Sequence, residues 1–239
     1  MSEPVSAIIN VYNEAPTIEA EIRQIHELIT SRLPGSELIV AEDGSTDGTK
    51  EIITLLTGEL GIIHSTSIER KGYARALRDA MGLAKAPWIF FSDTGGKNDF
   101  NDFWKLYEAR EGAALVIGAR EGRTDPLYRR LLSWGCGLAL RIYFGLPMMD
   151  ADSGFRLYET KLAQRLAGQD WINSQLIASG LVLRIHAMGG NIRQIPVNYR
   201  QREGVSRGLP TKKIPRVIVT ILRNMPALKR ACRQLRPGS

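Results

Sequence analysis

The amino-acid sequence predicts an α/β fold, a single domain with a mostly parallel sheet followed by a C-terminal basic amphipathic helix. Short apolar, strand-like segments alternate with longer helical segments over the first two thirds of the chain, which is typical of βαβ units. Hydrophobic residues make up 44% of the 239 residues and charged residues 24%, which is enough for one sizeable core. Beyond residue 211, apolar side chains recur at helical spacing with basic residues between them.

The alternating part of the chain yields strands and helices in turn. Apolar runs predict strands at 6–12, 37–41, 60–64, 88–92 and 115–118. Helical periodicity predicts helices at 16–31, 46–57, 73–85 and 100–110. Pro16 suits a first helical turn, and Ser45 or Thr46 is the expected N-cap of the second helix. Ligands of such sheets bind beyond the carboxyl ends of the strands, so the segments after each strand are the candidate site.

The pattern changes after residue 120. We expect one apolar helix or a helix pair at 127–146, a loop at 150–158 that enters a strand or helix, a helix at 174–188 and a strand at 191–197. A Gly, Ser, Pro and Arg-rich stretch at 202–210 precedes the last helix. The predicted organisation is a domain over residues 1–210 and a helix over residues 211–239.

Charge is distributed unevenly along the chain. The 32 basic and 25 acidic residues give +7, but residues 200–239 hold eleven basic residues and one acid, which leaves 21 basic and 24 acidic residues before them. A mildly acidic domain with a basic tail indicates a polyanionic partner for the tail, either a membrane or a nucleic acid.

Several classes of protein are disfavoured. Cys136 and Cys232 are far apart, which argues against a zinc site or a disulfide framework. Residues 1–5 do not resemble a signal peptide, and Arg141 interrupts the most apolar stretch, at 131–149, so we expect no transmembrane helix. The first strand lacks the Gly-x-Gly-x-x-Gly of dinucleotide-binding proteins, and the sequence around Gly96 fits the phosphate loop of ATPases at neither end.

Carboxylates follow two strands that should be adjacent. Glu42 and Asp43 come after the second strand, and Asp93 follows the fourth. Each alone is explained as well by a structural role, as a turn residue or an N-cap, as by a functional one. Together they predict a polar site, in which one carboxylate accepts from a nucleobase N–H and another holds a hard cation on phosphates.

Six motifs in order resemble those of family 2 glycosyltransferases with the GT-A fold, closest to the polyprenyl-phosphate (dolichol-phosphate) sugar transferases. They are Val-Tyr-Asn-Glu at 11–14, Glu-Asp-Gly-Ser-Thr-Asp-Gly-Thr at 42–49, Lys-Gly-Tyr-Ala-Arg-Ala-Leu at 71–77, Ser-Asp at 92–93, Gly-Ala-Arg at 118–120 and Asp-Ser-Gly-Phe-Arg-Leu-Tyr at 152–158. The resemblance covers roughly residues 5–207. It implies a nucleotide-sugar-binding, Rossmann-like domain and inverting transfer of a sugar, in the context of cell envelope glycan biosynthesis.

The resemblance implies a role for each matching residue. Nucleotide contacts are expected from Tyr12, Glu14, Asp43 and Lys71. Asp93 corresponds to the first acid of the Asp-x-Asp motif, which holds Mg²⁺ or Mn²⁺ on the diphosphate. Residues expected to face an acceptor phosphate are Arg120, Ser153 and Arg156. A clamp on the same phosphate is expected from Arg202, Ser206 and Arg207, with Arg200 as the other candidate for its first arginine.

The sequence departs from the family pattern at the metal motif. Gly95 replaces the second acid, and Lys97 replaces the expected glutamine. Three interpretations follow: Asp93 binds the metal with water and phosphate oxygens, Lys97 neutralises the diphosphate without metal, or the chain is a catalytically weak nucleotide-sugar-binding protein. Asp99 offers a substitute ligand, although its position before the helix at 100 favours an N-cap.

The acceptor decides which further groups the reaction needs. A lipid phosphate is already an anion and needs arginines rather than a base. A saccharide or other hydroxyl acceptor needs a carboxylate, for which Asp150 and Asp152 are the nearest candidates, while the later helix offers only Gln175. A UDP- or GDP-sugar donor and a polyprenyl phosphate acceptor are therefore expected, without specifying the sugar, the base or the oligomeric state.

The pattern of apolar and basic residues in the tail predicts a helix that lies on a membrane surface. Its apolar stripe runs from Ile214 to Leu235 at steps of three and four, and Pro226 should kink it. The alternative is a helix docked on the domain with a solvated basic face. A nucleic-acid partner is not expected, because the tail lacks interleaved aromatic residues. The predicted location is peripheral, at the cytoplasmic (inner) face of the membrane.

Overall fold

Seven strands form one sheet in the described part of the chain, with the order β3-β2-β1-β4-β6-β5-β7. The structure is a computed structural model and describes residues 2–122, 127–148, 150–168, 177–200 and 214–236. The strands are β1 Val5–Val11, β2 Glu37–Glu42, β3 Ile63–Ser65, β4 Trp88–Asp93, β5 Leu115–Glu121, β6 Phe155–Glu159 and β7 Ile192–Asn198. All neighbouring pairs are parallel except those that β6 makes with β4 and β5.

Helices cover both faces of this sheet. They are α1 Ile18–Ile25, α2 Thr49–Leu60, α3 Tyr73–Leu83, α4 Phe103–Glu108, α5 Leu127–Phe144, α6 Thr160–Ala167, α7 Ile177–Ala187 and α8 Ile214–Arg233. A π-helical turn, His26–Thr30, continues α1, and a 3₁₀ turn, Phe100–Asp102, precedes α4. The predicted α/β fold with a mostly parallel sheet is confirmed.

Two hydrophobic layers hold the helices against the sheet. On one face, α1, α2 and α4 pack on the strands, and a stripe of isoleucines at helical spacing is completely buried: Ile18, Ile22, Ile25 and Ile29. Burying an isoleucine side chain contributes about 1.5–3 kcal/mol, so this stripe fixes α1 firmly against the sheet. On the other face, α3, α6 and α7 form the second layer together with parts of α5 and α8.

The register aligns the carboxyl ends of the central strands. Val11 of β1 lies opposite Glu42 of β2, and Asn10 lies opposite Asp93 of β4. The strands β2 and β4, which we expected to be adjacent, are separated by β1. The loops after all three strands nevertheless meet at one edge, as the parallel arrangement predicts. The antiparallel β6 starts at that same edge, with Phe155 opposite Ser92, so the loop 150–154 joins the loops of the parallel strands.

One detail of the prediction for α2 is wrong. Neither Ser45 nor Thr46 caps this helix, which begins at Thr49, and the Asp47 carboxylate accepts from the Thr49 N–H at 3.2 Å. Ser45 and Thr46 instead bond to Asn13: the Ser45 hydroxyl accepts from its N–H, and the Thr46 N–H donates to its Oδ1. These bonds tie the loops after β1 and β2 together, which takes both residues away from the helix.

Candidate active site

Asp93, the last residue of β4, lies at the centre of the site. The Tyr73 hydroxyl donates to its Oδ1 (2.9 Å), and its own N–H donates to the Gly154 carbonyl (2.8 Å). A Cβ on Gly154 would overlap the Asp93 carboxylate, so only glycine permits this approach of the two loops. The carboxylate is thus held in one orientation from two sides.

The electrostatic environment of Asp93 favours a neighbouring cation. Burial raises the pKa of this carboxyl, and the nearby charge of Asp152 adds to the increase. The Tyr73 hydrogen bond and the positive charges of Lys97 and Arg156 oppose it without cancelling it. A ligand or side chain that brings positive charge to Asp93 is therefore stabilised there.

The turn after β4 is built on a carboxylate from α1. Gly95 (φ 104°) and Gly96 (φ 66°) take backbone conformations that favour glycine, and their N–H groups donate to Oε1 of Glu21 at 2.8 and 2.9 Å. Glu21 is only 5% exposed. On the far side of the turn, the Lys97 carbonyl accepts from the Arg200 N–H at 2.7 Å.

Asp43 organises the nucleotide end of the site. This buried carboxylate accepts from the backbone N–H groups of Lys71 (2.7 Å) and Gly72 (3.0 Å). The Lys71 side chain, which we expected near the nucleotide, instead pairs with Asp79 on α3 at 3.1 Å. The contribution of Lys71 to the site is therefore its backbone N–H, because the ion pair holds its ammonium on the helix.

Arg70, which belongs to none of the six motifs, also contacts the residues at the nucleotide end of the site. The Arg70 guanidinium lies over the Tyr12 ring, 3.9 Å from its centroid, and its Nε is 3.7 Å from Asp43. Glu14 is buried, with its N–H donating to the Thr49 hydroxyl at 2.9 Å. Tyr12, Asp43 and Arg70 thus form a polar and aromatic wall beside the loop after β1.

Arg120 and Asp150 form an ion pair at the other end of the site. Nε and Nη2 of Arg120 donate to the two oxygens of Asp150 at 2.9 and 2.5 Å. Burial alone would lower the pKa of Arg120, but the ion pair outweighs it and raises the pKa. The pair lines a cleft of about 520 Å³ whose other walls are residues of α5: Leu127, Arg130, Leu131, Ser133 and Trp134.

Arg156 and Ser153 lie beneath the surface. Arg156 is 1% exposed, and its guanidinium donates to the carbonyls of Ala151, Ser153 and Ala178 and to the Tyr158 hydroxyl. Ser153 is completely buried. Both side chains are thus buried at the loop 150–154. Contact of either side chain with an acceptor phosphate stays a prediction, and the observed role of Arg156 is to hold the loop 150–154.

Of the residues expected to form the clamp beyond β7, the described part of the chain includes only Arg200, the other candidate for its first arginine. Arg200 pairs with Asp99 (2.7 Å), and its side chain is 66% exposed. Asp99 itself accepts from the Asn101 N–H, which confirms it as an N-cap. Arg202, Ser206 and Arg207 lie outside the described residues.

Comparison with known proteins identifies the family. The model of the family described as "Glycosyl transferase family 2" matches residues 6–167. The chain belongs to this family. Its fold is the GT-A fold, it is a glycosyltransferase, and inversion at the sugar is consistent with family 2 membership.

Two relatives within the family indicate which kind of glycosyltransferase the chain resembles. The undecaprenyl-phosphate mannosyltransferase of Micrococcus luteus is 27% identical over 210 residues, covering 83% of this chain and 84% of the relative. The dolichyl-phosphate hexose transferase of Haloferax volcanii is 22% identical over 209 residues, with 86% of each chain covered. The predicted kinship with polyprenyl-phosphate sugar transferases is confirmed.

Two solved structures share the fold. The Pyrobaculum calidifontis mannosyltransferase PcManGT, in complex with GDP-Man and Mn²⁺, has a TM-score of 0.66 at 20% identity and covers 97% of this chain and 70% of its own. The Mycobacterium tuberculosis glucosyl-3-phosphoglycerate synthase, with Mn²⁺, UDP and its product, has a TM-score of 0.67 at 23% identity, covering 94% and 80%.

A divalent metal fits this family 2 site only in part. Among the described residues, no group of three or more His, Cys, Asp or Glu side chains could hold a metal ion. Gly95 takes the place of the second acid, and Lys97 brings a positive charge to Asp93. The protein thus offers Asp93 as one carboxylate ligand, and phosphate oxygens and water would have to supply the remainder.

Three contacts of the family 2 site escape reasoning from sequence motifs. Arg70 lies one residue before the motif at 71–77 and is therefore not part of the resemblance. Tyr73 lies within that motif, but the motif does not indicate that its hydroxyl contacts Asp93. Glu21 does leave a trace: it interrupts the apolar face of α1, lying three residues after Ile18 and four before Ile25. A carboxylate on a buried face needs a hydrogen-bond donor, which here comes from the turn after β4.

Proposed function

We propose that the protein transfers a sugar from a UDP- or GDP-sugar to a polyprenyl phosphate at the cytoplasmic face of a membrane. The observation that carries the proposal is the cleft beside α5. It places the Arg120–Asp150 pair and Arg130 next to the apolar side chains of Leu131 and Trp134. A cation beside a hydrocarbon-like wall matches a phosphate attached to a lipid chain.

The donor lies along the loops after β1, β2 and β4. The base stacks near Tyr12 and Arg70, and Asp43 accepts from a base N–H while it holds the Lys71 and Gly72 amides. The diphosphate then extends towards Asp93 and Lys97. Lys97 supplies positive charge to the leaving group, and any metal that is bound there rests on Asp93 and the phosphates themselves.

The transfer is a displacement at the anomeric carbon. An oxygen of the acceptor phosphate forms the new bond to this carbon as the bond to the diphosphate breaks, and the electron pair leaves on the nucleoside diphosphate. The acceptor is an anion already, so no side chain must remove a proton. Asp150 would be a poor base in any case, because its carboxylate is paired with Arg120.

Membrane attachment rests on α5 and α8 together. Helix α8 packs on α7, its Met225 and Cys232 are buried, and its Lys229 donates to the Tyr143 carbonyl of α5 at 2.7 Å. An apolar groove of about 560 Å³ runs between the two helices. Large apolar side chains remain exposed along both: Leu127, Tyr128, Leu131, Trp134, Ile142, Ile218, Val219 and Leu222. Docking and membrane contact are thus compatible functions of α8.

The charge of these helices suits an anionic bilayer. Exposed basic side chains lie on both, at Arg130, Arg141, Arg223, Arg230 and Arg233. Each basic group near an anionic surface contributes about 1 kcal/mol of attraction. Among the described residues, no helix is long and apolar enough to cross a membrane. The proposed attachment is through the exposed apolar and basic side chains of α5 and α8.

A panel of donors tests the function. UDP- and GDP-sugars are incubated with undecaprenyl phosphate in detergent, with and without EDTA, and lipid-linked sugar is measured. Transfer from one donor is expected, and Lys97→Met should reduce it by about a hundredfold through loss of charge on the leaving group. Lys85→Met is the matched control, because Lys85 is exposed at the opposite edge of the sheet. Absence of transfer and of donor hydrolysis with every pair would instead favour a nucleotide-sugar-binding protein.

A hydroxyl acceptor is the second candidate, favoured by one observation. Asp152 is exposed and close enough to Asp93 to raise the pKa of its carboxyl, so a carboxylate is available near the reacting groups. Transfer to a saccharide that is lost in Asp152→Asn, with no transfer to lipid phosphate, would establish this alternative.

A further inference from the structure

The turn after β4 has an anchor that the reaction itself does not require. In the pattern of the family, a second acid occupies position 95, whereas here the turn consists of two glycines closed over a carboxylate from another element. Successive backbone N–H groups of this kind form a concave site for an anion. The anion in this structure is the side chain of Glu21.

The hydrogen bonds of Glu21 define where the turn lies. Both N–H groups converge on one oxygen, Oε1, from residues 74 and 75 positions further along the chain. Glu21 is buried on the face of α1 that also carries Ile18, Ile22 and Ile25, so the helix cannot shift without exposing its apolar stripe. The anchor is therefore as rigid as the packing of α1 on the sheet.

A second contact fixes the other side of the turn. The Lys97 carbonyl accepts from the Arg200 N–H, and Asn98 forms an isolated bridge with Tyr199. The Thr94 hydroxyl also donates to the Asn10 carbonyl at 3.0 Å. The backbone of Lys97 is thus held on both sides. The Glu21 carboxylate binds the two residues before it, and the Arg200 N–H binds its own carbonyl.

From this arrangement we infer that Glu21 is a positioning residue: it holds the Gly95–Gly96 turn so that Lys97 is directed at the donor diphosphate. The inference rests on the proposed function and deepens it. A long lysine side chain on a loose turn would lose conformational entropy when it binds a phosphate, and a fixed turn removes the backbone part of that cost. The chain thus holds a cation at the position where the family pattern has a glutamine, two residues after the missing second acid.

The inference is tested by a double-mutant cycle between Glu21 and Lys97. Binding of UDP and GDP is measured by calorimetry in the presence of EDTA for the wild type, Glu21→Leu, Lys97→Met and the double variant. We expect Glu21→Leu to weaken binding about tenfold when Lys97 is present and less than twofold when it is Met. Glu21→Gln, which keeps an acceptor oxygen, should recover most of the affinity. Equal weakening in both backgrounds would overturn the inference.

A measurement without nucleotide guards against misfolding as the explanation. Hydrogen exchange of a peptide spanning residues 94–98 should be faster in Glu21→Leu, while the thermal midpoint and exchange in β1 stay close to the wild type. Glu19→Leu is the matched control, because Glu19 is exposed on the same helix and pairs with Arg23. Unchanged exchange at 94–98 would also overturn the inference. A wild-type protein that binds neither nucleotide would refute the proposed function and this role together, whereas nucleotide binding without coupling would refute only the role of Glu21.

Discussion

The hydroxyl of Tyr73 donates a 2.9 Å hydrogen bond to Oδ1 of Asp93, joining the first residue of α3 to the last residue of β4. Burial of the hydroxyl, together with the charge of Asp93, raises the pKa of Tyr73 well above its usual value, so the tyrosine stays a neutral donor. The Tyr73 hydroxyl therefore remains a hydrogen-bond donor to Asp93 at neutral pH.

Replacing Tyr73 with phenylalanine removes this donor and little else. Hydrogen bonds to charged groups contribute about 1.5–3 kcal/mol, so we expect kcat/KM to fall at least tenfold in Tyr73→Phe. Steady-state kinetics with the active donor, together with the thermal midpoint, measures the effect. A kcat/KM within twofold of the wild type would mean that Asp93 does not need this orientation.

Restoring the second acid of the metal motif should not restore a metal site. At φ 104°, an aspartate at position 95 is strained, and we expect Gly95→Asp to lose about 1–3 kcal/mol of the free energy of unfolding. Gly95→Ala is the control for strain without the charge. Urea unfolding and Mn²⁺ titration of both variants check this. Tight Mn²⁺ binding by Gly95→Asp at unchanged stability would show that the turn readily adopts a metal-binding form.

Arg120 should matter for the acceptor rather than for the donor. In Arg120→Lys, the charge remains but the two-pronged contact with Asp150 is lost, since an ammonium cannot present two parallel N–H groups. We expect the KM for polyprenyl phosphate to rise about tenfold while the KM for the donor is unchanged. If the two KM values rose together, Arg120 would be acting on the whole site and not on the acceptor end.

The exposed apolar faces of α5 and α8 should govern membrane binding. Trp134 is 59% exposed and Leu222 is 57% exposed, and burying such a side chain in a bilayer contributes about 1.5–3 kcal/mol. The double variant Trp134→Glu, Leu222→Glu should therefore bind anionic liposomes at least tenfold more weakly in sedimentation. Leu55→Glu is the control, because Leu55 is 75% exposed on α2, a helix of the opposite layer. Equal binding of all three proteins would rule out this surface.

His64 makes stability depend on pH. Burial lowers the pKa of this imidazole; the charge of Glu42 opposes the decrease and that of Lys50 adds to it. Its Nε2 has no hydrogen-bond partner among the described residues. Near pH 6.5 the imidazole therefore binds a proton more readily in the unfolded chain than in the folded one. The free energy of unfolding is thus unaffected by His64 above that pH and decreases as the pH falls below it. Urea unfolding at pH 7.5 and 5.5 should show a smaller difference for His64→Gln than for the wild type. An identical difference would contradict the prediction.

Much of the fold follows from local pattern. The strands of the βαβ part and the helices between them are set by apolar periodicity, which is a property of each segment alone. The direction of β6 is not: nothing in the segment Phe155–Glu159 indicates it, and only the pairing with β4 and β5 makes the strand antiparallel. The π-helical turn after α1 likewise carries no marker in the sequence.

The site divides in the same manner. Asp43 and Asp93 are found from their positions after strands, because a parallel sheet brings strand ends together. The partners of each side chain are not found this way. The Lys71 ammonium pairs with Asp79, and the Arg156 guanidinium donates to backbone carbonyls. Which acceptor a side chain binds depends on the three-dimensional arrangement, which the sequence pattern does not reveal.

The contact between Gly154 and Asp93 limits how the protein can change. No side chain fits at position 154 while the Asp93 carboxylate keeps its place, so the loop that precedes β6 and the end of β4 cannot vary independently. A library randomised at position 154 should yield active clones with glycine alone. Replacing the 150–154 loop with that of a relative should preserve activity only when the end of β4 and the turn after it are replaced as well. The two segments can therefore change only together.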